Sequence, residues 1–441
     1  MNLRKSWILM AALATGACDD LLSVDPPDRV SEETAITDAA SAQAALNGAY
    51  SSLTGGSYYG GTLVFFGDLP TDNAEHGATG TLQSYGELDR NDVRADNGSV
   101  DGMWSSLYSA ISRTNTVLDR VPQIDMRDAD RDRILGEAHF LRALHYFNLV
   151  RFWGGVPLIL APVTNVDEAS LVTRASAEDV YAQVLADLEE ASALLAQSSD
   201  PTIAGEGAVQ ALLSRVLLYT GDYAGSEAAA NAVVALGYDL AEDYGELFVD
   251  GTTEEDIFKV IFTPDDFNNI GYYYHGASCG GGRGEVAPTD DLAGAYEAGD
   301  ARFDWTILEV GSGLCGDKYP TTLGAEDVHV IRFAEVLLNL AEAHARQNEL
   351  EDAVDAYNQV RERAGLDPHV LGVDVTTQDD VIEAILQERR VELALEGDRW
   401  TDLIRTGDAV ALLGIDPFQQ LFPIPQSELD VAPNLEQNPG Y

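Results

Sequence analysis

The chain of 441 residues carries 74 aspartates and glutamates against 26 lysines and arginines, a formal net charge of −48. Phosphate recognition runs on clustered Lys and Arg, so no nucleic-acid partner is expected, and direct adsorption to an anionic lipid surface is disfavoured. The acids are spread along the chain rather than gathered in one tail, and read as a solvated surface suited to salty surroundings.

The first element is a targeting segment. Arg4 and Lys5 give a positive start, Trp7–Leu13 a short apolar core, and Thr15-Gly16-Ala17 a small-residue approach to Cys18. That layout predicts a cleavable export signal over residues 1–17 and acylation of Cys18, although Thr15 stands where Leu is usual. Residues 18–30, with Pro26-Pro27, then form an arm between the lipid and a domain over 31–441. No later apolar run approaches the ~20 residues that cross a bilayer, so the mature part is expected to be anchored rather than inserted.

Beyond the arm, 3.6-residue periodicity predicts helices over Ala35–Leu53, Val100–Val121, Arg131–Trp153, Ala177–Leu195, Gly207–Tyr219, Tyr223–Leu236, Val330–Gln347, Leu350–Ala364 and Gln378–Glu396. The fold class is mainly α. Residues 216–234 and 340–360 each run helix, tight polar turn and Ala-rich helix, the pattern by which tetratricopeptide hairpins stack. Between these helices, Gly55–Asn97 and Thr263–Thr322 are rich in Gly, aromatic and Asp residues and read as long ordered loops, where binding sites tend to lie. The tail from Asp416 holds five of the sixteen prolines and is not expected to be regular helix.

Catalytic signatures are absent: there is no His-Glu-x-x-His, no Gly-x-Ser-x-Gly and no phosphate loop. Gly311-Ser-Gly313-Leu-Cys-Gly316 spells Gly-x-Gly-x-x-Gly, but Asp317-Lys318-Tyr319-Pro320 follows in place of a helix, so no dinucleotide or other cofactor is expected. Acidic pairs such as Asp265-Asp266 and Asp290-Asp291 carry little weight in so acidic a chain. His139 and His145 sit in an apolar helix and read as packed, hydrogen-bonded residues. That helix, Arg131–Trp153, has no single wet face and is expected at the centre. On Gln378–Glu396 the charges of Arg389 and Glu396 share the stripe of Ile382, Ile385, Leu386 and Leu393. They need partners, for which Asp398, Arg399, Asp402 and Arg405 are close at hand. In an exported protein Cys279 and Cys315 are expected to form a disulfide, and neither has metal-ligand spacing, so no metal is expected.

The stretch Glu388-Arg389-Arg390-Val-Glu392-Leu-Ala-Leu-Glu396-Gly-Asp-Arg399-Trp400-Thr-Asp402-Leu-Ile-Arg405-Thr-Gly resembles the C-terminal signature of the SusD/RagB family. The resemblance extends to Trp104 through Asn115, Ala138–Phe147, Trp153-Gly-Gly-Val-Pro157, Ile331–Ala343, Val360–Leu366, Pro423-Ile-Pro425 and Gln437–Tyr441. It implies four tetratricopeptide-like helix pairs with irregular ligand-facing loops. It also implies a non-enzymatic lipoprotein at the outer-membrane surface that captures oligosaccharide, polysaccharide or another nutrient for a SusC-like TonB-dependent transporter.

Phe66-Gly67-Asp68-Leu-Pro-Thr-Asp72-Asn73 resembles a segment contributing to the binding face in relatives, and Thr263–Tyr319 occupies a second contributing region. Sugars offer flat apolar faces for stacking and hydroxyls for polar partners. The candidates are therefore Tyr272, Tyr273, Tyr274, Trp305 and Tyr319 for stacking, with Asp68, Asp72, Asn73 and Arg283 as polar contacts. A surface glycoside hydrolase, a peptide-binding lid and a ligand-free structural lid remain as alternatives.

Overall fold

The computed structural model describes residues 36–163, 171–249, 251–311 and 313–441. The predicted signal, Cys18 and the arm lie outside the described residues. Among these residues nine helices have twelve residues or more: α1 (Ala39–Tyr50), α2 (Gly98–Arg120), α3 (Asp128–Trp153), α4 (Ala177–Leu194), α5 (Glu206–Thr220), α6 (Tyr223–Ala235), α7 (Phe333–Arg346), α8 (Leu350–Arg363) and α9 (Gln378–Glu392). Local chemistry sets their starts. Asp38, Ser176 and Thr377 close capping boxes on α1, α4 and α9, and the Asn97 and Asp222 side chains accept from first-turn amides of α2 and α6.

The helices pack as pairs α1/α2, α3/α4, α5/α6 and α7/α8, each pair against the next, with α9 closing on α7. Small residues make the close approach between α5 and α6: Ala211, Ala229 and Ala230 are buried, and Ser226 Oγ donates to the Ser214 carbonyl at 2.8 Å. Every residue of α3 from Phe140 to Trp153 is buried, as its lack of a wet face predicts. Its polar residues, recurring every third position, drift around the axis and so meet partners on different elements. Arg142 pairs with Asp187 of α4 at 2.7 Å, His145 Nδ1 meets the Tyr58 hydroxyl at 2.8 Å, and Asn148 donates to the Tyr58 and Tyr59 hydroxyls at 2.9 and 3.1 Å. His139 is likewise satisfied, 2.7 Å from Asp187.

Three antiparallel two-stranded ladders join the segments between the helices. β1 (Ala74–His76) pairs with β3 (Val286–Pro288), β2 (Asp256–Val260) with β6 (Val328–Arg332), and β4 (Ile307–Val310) with β5 (Gly313–Gly316). β6 corrects one expected boundary. Val328, His329, Ile331 and Arg332 pair with β2, and α7 starts only at Phe333.

A second correction concerns residues 55–73, the first part of the Gly55–Asn97 region expected as a long ordered loop. They form a buried wedge around the short helix Thr62–Asp68, all seven of whose residues are buried. The wedge fits beneath the turn after α9, where a Cβ on Gly67 would lie 1.8 Å from the Gly397 carbonyl oxygen. That contact also explains why α9 stops at Glu392 and not Glu396. The chain turns sharply there, with Leu395 at φ 62° and Gly397 at φ 94°. The tail folds back on the end of α3: Trp153 Nε1 donates to the Pro423 carbonyl at 3.0 Å, and Asn438 Nδ2 donates to the Trp153 carbonyl at 3.1 Å.

Candidate functional site

The two long inter-helical regions meet through the β1–β3 ladder. Beside it the short helix Ile270–Tyr274 carries three successive tyrosines, which a 100° step per residue must point in three directions. Tyr272 is 40% exposed. Tyr273 is half-buried, its ring stacked on Phe65 at 5.5 Å and 22° and edge-on to Tyr85 at 6.0 Å. Tyr274 is buried, edge-on to Phe65 from the other side. Tyr272 and Tyr273, 5.9 Å apart, therefore form a supported aromatic face, and Tyr274 is part of its foundation.

The Gly-rich segment 276–284 wraps this helix. Arg283 N donates to the Tyr272 carbonyl at 2.7 Å, and a Cβ at Gly282 would come within 2.4 Å of that oxygen, so the segment lies too close to accept a side chain there. The Arg283 guanidinium sits 5.9 Å from the Tyr273 ring centre and donates to Thr81 Oγ1 at 2.7 Å. Its Nε lies 2.5 Å from Glu285. Glu285 is itself fixed by the Thr81 and Leu82 amides at 2.8 and 2.9 Å. Against the effect of burial, these amides and Arg283 hold its carboxyl below the usual glutamate value. Cys279 and Cys315 are joined with Cα atoms 6.5 Å apart, tying the segment to β5.

The other predicted contacts lie elsewhere. Asp68 is buried, accepting from Asn73 Nδ2 at 3.1 Å and from the Gly397 amide at 2.9 Å. Burial pushes its carboxyl up to about 7, against the pull of those two hydrogen bonds. Asn73 is buried too, its Oδ1 accepting from Arg390 at 2.9 Å. Asp72 forms a paired bond with Arg399, 2.8 Å at both oxygens, and meets Arg390 at 3.1 Å. These three residues bind the wedge to the signature stretch, their side-chain oxygens engaged by Arg390, Arg399, Asn73 and the Gly397 amide. Tyr319 is 1% exposed. Trp305, half-buried, packs against a separate small cluster of Tyr244, Leu247 and Phe248, so close to Gly245 that a Cβ there would be 2.0 Å from the indole. Of the nine candidates, Tyr272, Tyr273 and Arg283 are brought together at one face. Thr81 and Glu285 complete it, and Phe267, 56% exposed on the segment before the helix, is an aromatic that the sequence reading passed over.

The signature charges turn inward. Arg389 meets Asp402 at 3.1 Å and Asn339 at 2.7 Å, as its near neighbours suggested. Glu396 instead pairs with distant residues, Lys318 at 2.6 Å and Arg332 at 2.9 Å. Arg332 also binds Glu255 at 2.8 Å and Glu392, Arg363 binds the same two glutamates, and Arg302 joins Asp300, Glu388 and Glu392 at 2.7, 2.6 and 2.9 Å. This lattice is fully buried and positions scaffold, not ligand. A possible donor set for a cation, Glu227, His344 and Glu349, brings three ligand atoms within 4.8 Å, but His344 Nδ1 already meets Glu349 at 2.6 Å.

Two family models match the chain, "SusD family" over residues 313–417 and "Starch-binding associating with outer membrane" over residues 22–218. The SusD-like protein P2 of Formosa agariphila is 27% identical, with the alignment covering 100% of both chains. A laminarin-binding SusD-like protein of known structure is 26% identical, covers 92% of this chain and 100% of its own, and superposes with a TM-score of 0.81. A SusD-superfamily protein from Bacteroides vulgatus gives a TM-score of 0.83 at 22% identity, covering 92% of this chain and 99% of its own. With these matches, the four stacked helix pairs and the inward-turned signature charges, the chain belongs to the SusD/RagB family.

Proposed function

We propose that the mature chain is a glycan-capturing lipoprotein of the outer-membrane surface, tethered through Cys18, which passes its ligand to a SusC-like TonB-dependent transporter. The observation that carries this reading is the Tyr272–Tyr273 face, backed by Phe65 and flanked by the held guanidinium of Arg283. Flat rings supported from below offer a stacking platform that loses little side-chain freedom on binding, and Arg283 and Thr81 lie beside it to meet hydroxyls. The starch-binding description of one matching family model and the laminarin-binding neighbour support a polysaccharide ligand. The export layout before Cys18 supports the tether.

The test is calorimetric titration of the mature domain, with Cys18 removed, against laminarin and amylose. For whichever polysaccharide binds, Tyr272→Ala and Tyr273→Ala are expected to weaken affinity by about five- to thirtyfold, the loss of a stacking contact of roughly 1–2 kcal/mol. Trp305→Ala, which uncovers a separate cluster, is expected to lower the melting temperature and leave affinity unchanged. Unchanged affinity in both tyrosine variants would remove the site. Release of shorter products from either polysaccharide would favour a hydrolase.

A further inference from the structure

The aromatic face does not account for a second, broad depression. Between α9 and the short helices Arg399–Thr406 and Ala409–Leu413 lies an open groove of about 990 Å³. Its lining contains no Tyr, Trp or Phe, so it lacks what a sugar would stack on. Its floor is aliphatic. Ile382 and Leu386 are half-buried, Leu403 is buried, and Leu412 stands 51% exposed.

The rim is acidic and uncompensated. Asp379 and Glu383, one turn apart on α9, are exposed and make no ion pair or side-chain hydrogen bond among the described residues, and Asp408 meets only the Thr406 hydroxyl. The two arginines of the groove are engaged elsewhere, Arg346 with Glu342 at 3.2 Å and Arg399 with Asp72 at 2.8 Å. An aliphatic trough bordered by unpaired carboxylates is complementary to apolar side chains flanked by cations.

We infer that this groove docks a segment of another protein in which aliphatic side chains alternate with Lys or Arg. A second copy of this chain is disfavoured: at −48 net charge, with 26 basic residues against 74 acidic, two copies repel each other. An anionic lipid surface is repelled for the same reason. The inference is independent of the ligand reading, since it uses none of the residues of the aromatic face.

The probe is a synthetic helical peptide with Leu on one face and Lys on the other, titrated by fluorescence anisotropy against the full mature chain at physiological salt. Wild type is expected to bind it. The double variant Asp379→Lys/Glu383→Lys is expected to weaken binding by about tenfold or more, and Leu412→Ser by several-fold. Glu189→Lys/Glu190→Lys makes the same charge change on exposed positions of α4 and is expected to shift affinity by less than about twofold. No binding to wild type overturns the inference. Equal losses in the two charge variants would also overturn it, since they would reveal diffuse attraction to an acidic surface. An unaltered affinity in Leu412→Ser would remove the apolar floor from the argument and the inference with it. Sedimentation that shows self-association abolished by Asp379→Lys/Glu383→Lys would assign the groove to a second copy and overturn it as well.

Discussion

Asp68 shows how a residue of suitable chemistry is drawn away from a binding role. Its two oxygens join the wedge to the turn after α9, and burial holds its carboxyl up at about 7. Because the folded value lies above the ordinary one near 3.8, its contribution to stability is fullest below that value and is lost as pH rises through about 7. Thermal melts between pH 5 and 8 are therefore expected to decline less with rising pH in Asp68→Asn than in wild type, by an amount on the order of a few kcal/mol. The variant starts from a lower stability, since one of its two acceptor sites becomes a donor facing a donor. Equal slopes in the two proteins would show that Asp68 ionises freely. Residue type made Asp68, Asp72, Asn73, Tyr274, Tyr319 and Trp305 reasonable sugar contacts, but type does not report exposure. For Tyr272–Tyr274 the helical step alone required the three rings to diverge. Which two reached the surface depended on where Phe65 and Tyr85 lie, far earlier in the chain and brought close by β1–β3 pairing.

The long helices were legible because most bury a face at regular spacing and five of the nine begin at a capping side chain. The predicted and observed limits of Ala177–Leu194 and Tyr223–Ala235 differ by one residue at most. Two boundaries moved with a tertiary contact: pairing with β2 took Val330–Arg332 from the predicted start of α7, and Gly67 packing on Gly397 cut α9 short. The inter-helical segments were legible as regions and not as shapes. The segment 276–284 has almost no side chains of its own to pack, so its position rests on the Cys279–Cys315 link, the Arg283 amide and Glu285. Cys315→Ser is accordingly expected to leave the helical scaffold folded, by far-ultraviolet dichroism, and to weaken polysaccharide affinity several-fold, with wild type behaving alike under reductant. Affinity indifferent to both treatments would show that the link does not hold Arg283 in place.

Across the whole molecule, a chain of strong negative charge is held together by arginines buried among its carboxylates, while others, such as Arg94 and Arg127, stay at the surface. Arg302, Arg332 and Arg363 join Glu255, Glu388, Glu392 and Glu396 in one dry lattice that connects β2, β6, α8, α9 and the turn beyond it. Removing one cation leaves several carboxylates uncompensated, so Arg332→Met is expected to destabilise the fold by about 3–5 kcal/mol in urea titration. Burial disfavours ionisation of Glu396, yet the charges of Arg332 and Lys318 hold its carboxyl at about 2, and Arg389 with Arg405 hold Asp402 lower still. Folded values below the ordinary ones give stability that is present above about pH 4.5 and lost as pH falls toward 2. Acid unfolding is expected over that interval in wild type, and at higher pH in Arg332→Met.

The sequence by itself determined the helical class, the paired hairpins, the central position of α3 and the family, because these follow from periodicity, capping and motif order along the chain. It also marked Arg389 and Glu396 as charges in need of partners, since both share a stripe with aliphatic residues. Only the tertiary structure decided that Glu396 finds Lys318 and Arg332, that residues 55–73 are a wedge, and that the aromatic face consists of Tyr272 and Tyr273. Each of those outcomes depends on contacts between segments far apart in the chain, which no local pattern encodes.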